Sequence, residues 1–289
     1  MIIWSIAKAT VGDAMRKKVL QIFLVVAIGL IVISLSFSQT LSFSTREGSS
    51  TDIMLVKSFG MGLMAMAGWL ISLVMCVSLI PQEIERRTIY TILAKPVKRY
   101  EFIIGKFLGA MLTLAICVAF MGIVFIGVVM AKAHGASVAA ASSTTGISAL
   151  DSGIEKVQLF DINMVWSVVM IYLQFMVLSA VVLLFSVFMT PTVNFFMGLG
   201  VYIIGVLASL TETLASKGSS LNFILKGFYK VIHMIIPNFD KFNVTNTLLH
   251  PEAHITNVMH YTGQVALYGI FYALLMMMLA VIIFEKKEV

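Results

Sequence analysis

The chain has 289 residues, 60% of them hydrophobic and 12% charged, with a mean hydropathy of +0.99. A soluble domain runs nearer 45–50% apolar and about 25% charged, so a water-dissolved globule is excluded in favour of a set of membrane spans. The net charge of +6 does not point to nucleic acid, because the cations fall between apolar runs rather than on a wetted domain.

Residues 1–18 set Ile3, Ile6, Ala7, Thr10 and Ala14 against Lys8, Asp13, Arg16 and Lys17. That is helical spacing with one wetted face, and it suits a helix lying along a membrane interface. A tail ending in a basic stop is the alternative. A signal peptide fits poorly, since the apolar run that follows is too long and no small-x-small site ends it.

A bilayer core about 30 Å thick needs roughly 20 apolar helical residues, so uncharged intervals locate the spans. Three of them hold one span each, at about 19–38, 58–81 and 107–130. The interval from Asp161 to Glu212 holds two, at 164–188 and 193–211. They part at Thr190-Pro191-Thr192, where proline removes a donor and disfavours helix at the residue before it. The last span is 262–284. The expected fold is therefore all-α and integral to the membrane, one domain over 1–289 with six transmembrane helices.

Six spans put both termini on one side. Lys8, Arg16, Lys17, Lys18, Arg86, Arg87, Lys95, Lys98, Arg99, Lys106, Lys286 and Lys287 share that side in short segments, against eight cations scattered through longer loops on the other. The positive-inside rule makes the first side cytoplasmic, so a multi-pass protein of the cell (inner) membrane is expected.

The connections differ. Residues 131–161 contain AHGASVAAASSTTGIS and read as a mobile outer link. In 222–236, Ile224, Phe228, Val231, Ile232 and Ile235 oppose Lys226, Lys230 and His233, which predicts a helix dipping into the outer interface. Cys76 and Cys117 both sit in apolar runs and form no paired motif.

The stretch EIERRTIYTILAKPVKRYEF, 83–102, is the dense exception in charge. Ile84, Thr88, Ile89, Ile92 and Leu93 make one stripe, with Glu83, Glu85, Arg86 and Arg87 around the other side. Pro96 ends this helix near Ala94, and a second helix starts by Arg99 and runs into the third span. On composition alone, a solvated positive-inside loop is an equal reading.

The order of residues adds to this. The run from Glu83 to Gly109, E-x-E-R-R-T-x-x-x-x-L-A-K-P-V-x-R-x-E-F-x-x-G-K-x-x-G, resembles the cytoplasmic coupling segment of ABC-2 type ABC transporter permeases. It is most similar to the multicopper-enzyme-maturation (NosY-like) branch. The N-terminal AKATVGDAMRKKVL, the PTVNFF turn and the IIPNFDKFN stretch carry the resemblance along nearly the whole chain.

That resemblance implies a permease that pairs with a second copy or a paralogue, with each coupling helix seated in a separate ABC ATPase subunit. Glu83, Glu85, Arg86, Arg87, Thr88 and Ile92 would make the contact helix. Arg99, Glu101, Gly105 and Lys106 would be its hinge into the third span. Transport of a substrate, or relay of force to a periplasmic or extracellular partner, would follow. Two departures stand out. Arg87 replaces a common glycine, and Lys98 stands where a helix-capping serine is usual, which questions that cap.

The chain itself has no catalytic, cofactor or metal site on this reading. No G-x-x-x-x-G-K-[ST] occurs, since Ile104-Gly105-Lys106-Phe107 lacks the leading glycine and the hydroxyl. ATP and magnesium would be bound by the partner. A secondary transporter or channel without an ATPase is the alternative, but no Asp, Glu, Lys or Arg lies within any span, where carriers place them. His250-Pro251-Glu252-Ala253-His254, with His260 further on, departs from a zincin helix, which needs Glu directly after the first His.

Overall fold

The computed structural model describes residues 2–42, 49–81, 83, 98–143, 162–207, 236–242 and 258–286. Among them every α or strand element is helical: α1 (Ile2–Arg16), α2 (Lys18–Ser42), α3 (Ser49–Val77), α4 (Arg99–Ser143), α5 (Ile162–Ser186), α6 (Pro191–Val206) and α7 (Val258–Lys286). A short 3₁₀ turn, Asp240–Phe242, lies between α6 and α7.

Among the described residues, four segments are long and apolar enough to cross a membrane: Leu55–Val77, Arg99–Gly135, Met164–Ser186 and Met259–Lys286. The pair α1 and α2, bent by 67° at Lys17, passes the same test jointly as a fifth. The 16 residues of α6 rise only about 24 Å at 1.5 Å per residue, short of a bilayer core. The expected spans over 58–81, 107–130, 164–188 and 262–284 each fall on a helix of matching place.

Three boundaries differ from expectation. Helix α3 stops at Val77 and turns through 78–80 ahead of Pro81, because proline disfavours helix at the residue it follows. Helix α4 does not end near 130 but continues to Ser143. The run expected to link loosely from 131 is helical that far, since its alanines outweigh the single Gly135. Helix α6 stops at Val206 rather than 211, with Leu207 closing the last turn onto the Ile203 carbonyl. The break at Thr190-Pro191 is as expected: Thr190 is extended and Pro191 takes the first helical position, where a missing N–H costs nothing.

Helix α5 is the centre, packed by α3, α4, α6 and α7. Lipid is as apolar as leucine, so helices here associate by close packing and by hydrogen bonds rather than by the hydrophobic effect. The Phe175 ring lies where Gly68 of α3 has no side chain. Beside it the Ser72 and Ser179 hydroxyls are 2.8 Å apart. The Asn194 side-chain amide of α6 donates to the Val182 carbonyl of α5 at 3.1 Å. Polar groups in the spans thus tie helix to helix.

One segment enters the bundle without being a long helix. Ile236–Phe242 comes back over the end of α6, where the Phe239 N–H donates to the Gly205 carbonyl at 3.0 Å. The Phe239 ring fills the space over Gly205, and Phe242 reaches Gly269 of α7 and, through it, Val177 of α5. Both rings are fully buried. Non-helical backbone buried in a helical bundle needs its polar groups satisfied within the protein. Here the Asn238 N–H donates to the Tyr268 hydroxyl (3.3 Å) and the Asp240 N–H to the Asn238 Oδ1 (3.1 Å). Stacked rings of Trp69 and Tyr202 (5.4 Å between centroids) continue this packing into α3.

Candidate functional site: the base of α4

The candidate site is the end of the bundle that carries Lys17, Glu83, Arg99 and Lys106. Residues 84–97 lie outside the described residues, and with them Glu85, Arg86, Arg87, Thr88 and Ile92. The four other expected coupling residues, Glu83, Arg99, Glu101 and Lys106, are described, and all four meet the first turns of α4.

Glu101 supplies the missing cap. Its carboxylate accepts the Lys98 N–H at 3.2 Å, while the Lys98 carbonyl accepts the Glu101 N–H at 3.0 Å. This is the acidic half of a capping box, made by the third helical residue reaching back. A serine at position 98 is therefore unnecessary for starting α4, and the doubt raised by Lys98 is answered one turn later in the sequence. The carboxylate also sits at the positive end of the helix dipole.

Lys106, two turns up, is 7% exposed. Its ammonium lies 2.5 Å from a Glu83 carboxylate oxygen and 5.7 Å from the centre of the Phe102 ring. Both side chains of the pair are largely out of water, so taking away one partner would strand the other at about 3–5 kcal/mol. Arg99 reaches the opposite way, donating to the Glu285 carbonyl of α7 at 3.4 Å. That carbonyl is among the last of its helix, where no intrahelical donor remains. Phe102 and Phe284 stack beneath this contact at 6.2 Å.

The third neighbour is α1. A Cβ on Gly105 would lie 2.9 Å from Ile6 Cβ and 3.1 Å from the Ile3 carbonyl. One on Gly109 would lie 2.5 Å from Thr10 Cβ and 2.8 Å from the Ala7 carbonyl. The two glycines thus let α1 lie directly on the α4 backbone, and Ala7, Thr10 and Ala14 are its buried stripe. The face expected to meet an interface is, in its small residues, a helix-packing face. Lys17, at the bend into α2, donates to the Ser78 hydroxyl at 3.1 Å, and the Gln21 side-chain amide closes the end of α1 on the Met15 carbonyl.

Sequence reasoning singled out Gly105 and Lys106 but not the docking of α1 on the first, nor the pairing of the second with Glu83. The signal for the docking was present as a G-x-x-x-G spacing, a motif of close helix crossing. His250 and His254 lie outside the described residues, and His260 is exposed in the first turn of α7. Among the described residues no group of three or more His, Cys, Asp or Glu could hold a metal ion. The face expected over 222–235 also lies outside them.

The family model described as ABC-2 family transporter protein matches residues 4–289. No curated protein matches the chain.

Proposed function

The chain belongs to the ABC-2 family of transporter proteins, and from that premise we propose that it is the permease subunit of an ABC transporter whose ATP hydrolysis occurs on separate ATPase subunits. It is a multi-pass membrane protein. The observation that carries the proposal is how the charged stretch 83–102 is attached. It leaves at Glu83 and re-enters at Lys98, and both ends meet the base of α4. A loop serving only to fix topology has no use for a buried ion pair at its root.

On this reading Glu85, Arg86, Arg87, Thr88 and Ile92 meet the ATPase, and Mg-ATP stays on that partner. Helices α2 and α6, the latter short for a bilayer core, count as the other two spans on this reading, which gives six. Both termini are cytoplasmic and α1 lies along the inner interface, as the twelve-to-eight distribution of cations supports. Two permease subunits, alike or paralogous, assemble. The output is export or force relayed to an outer partner, as in the NosY-like branch that the Glu83–Gly109 run resembles.

The test uses the permease purified from its own cells with whatever ATPase accompanies it. Driving a population from 1:99 to 99:1 takes about 5.5 kcal/mol of differential binding, and a few central contacts should carry most of it. Arg87→Glu should keep the chain in the membrane yet uncouple ATP hydrolysis from it. Ile92→Asp should weaken ATPase capture by placing a charge in a packed face. If both variants capture the ATPase and hydrolyse ATP like the parent, 83–102 is a topology loop and the proposal fails.

A further inference from the structure

We infer that Lys106 is a positioning residue that mounts the charged stretch on α4 rather than suspending it evenly between α3 and α4. The inference rests on the permease reading for its purpose, but its geometry stands alone. Helix α3 ends at Val77, and the turn at 78–80 separates it from Glu83. The backbone link of Glu83 to α3 runs through that turn, with the Glu83 N–H on the Ile80 carbonyl at 3.0 Å. On the other side the connection is stiff: Glu83 is held by the Lys106 ammonium, and Lys98 by the Glu101 carboxylate. Both anchors stand within the first turns of one helix.

The same turns carry α1 on Gly105 and Gly109 and the end of α7 on Arg99. A push on the stretch is thus delivered to α4, and through direct backbone contact to α1. Helix α3 receives it through the turn at 78–80 and through packing along its length. The Phe102 ring under the ammonium and the near-complete burial of Lys106 keep water from competing for the pair. A surface pair could not hold position in this way, because exposed ion pairs gain little and are screened by salt.

Hydrogen exchange on the full-length protein in lipid nanodiscs tests the mounting without any ATPase. Lys106→Met and Glu83→Gln should speed exchange about a hundredfold or more in the amides of Glu83 and of Arg99–Gly109, the size expected when one partner of a buried ion pair is stranded. Exchange across Leu55–Val77 should stay at the parent rate, and Glu83→Asp should restore most protection. Faster exchange in the last turns of α3, with α4 unchanged, would overturn the inference. So would a uniform rise along the chain, which would mark the pair as a general stabiliser.

A second arm uses the complex with its ATPase. Lys106→Met should still capture the ATPase but lose most of the permease-dependent change in ATP hydrolysis. Retained coupling in this variant would also overturn the inference. Failure of the parent to capture any ATPase would instead sink the permease reading, and the exchange result would still decide the mounting.

Discussion

At one end of the bundle, the first turns of α4 hold α1 by glycine contact, Glu83 by an ion pair and α7 by an arginine on a terminal carbonyl. At the other end, Ile236–Phe242 holds α5, α6 and α7 together by buried rings and backbone amides. The first set of contacts is directional, with each partner fixed by a charge or by backbone against backbone. The second is mostly van der Waals contact spread over aromatic surfaces, which gains stability from area and tolerates small slides. The base of α4 is built to keep its parts in register when moved, and the aromatic cap is built to stay closed.

The contrast can be broken by separating stability from coupling. The largest loss of stability should come from Phe239→Ala, because its ring is fully buried over Gly205. Truncating such a ring costs about 3–5 kcal/mol, read as a lower unfolding midpoint in detergent. ATP hydrolysis per captured ATPase should change little. If coupling falls as steeply as stability, the two ends are not distinct in role.

Gly109→Ala comes next, at about 1–3 kcal/mol for an overpacked contact. The added methyl would meet the Ala7 carbonyl at 2.8 Å, and backbone cannot step aside as a flexible side chain can. Here the order should reverse, with a modest shift in midpoint and a larger loss of ATP-linked activity. A variant that couples like the parent would show that α1 is only a passenger.

The smallest effect should come from Tyr268→Phe. It removes the acceptor of the Asn238 N–H at about 1 kcal/mol, the usual net worth of one hydrogen bond. A loss several times larger would mean that the cap relies on polar bonds more than on its rings.

What the sequence made legible follows from which forces act along the chain. Uncharged runs of span length, the break at Pro191 and a helix entering the third span near Arg99 all depend on local composition; four of the six expected spans fall on helices long enough to cross, and the break and the start of α4 stand where expected. Contacts between distant segments were harder to read. Glu83 had Arg87 as its nearest partner by helical spacing, whereas Lys106, 23 residues away, becomes visible only once α3 and α4 run antiparallel. The apolar stripe of α1 was evident, but an amphipathic pattern cannot distinguish lipid from a glycine-paved helix. The continuation of α4 past residue 130 was hidden because Gly135 and the following small residues imitate a loop, although a helix already propagating keeps adding residues cheaply.

That continuation has a mechanical meaning. A 45-residue helix has a contour of about 67 Å, more than twice the thickness of a hydrocarbon core. Treated as a rod turning about its first residues, it moves its far tip by roughly 1 Å for each degree of tilt. A rotation too small to disturb the packing around Gly105 would therefore sweep Ser143 sideways by several ångströms. In such a molecule the far face reports, in magnified form, what happens at the root.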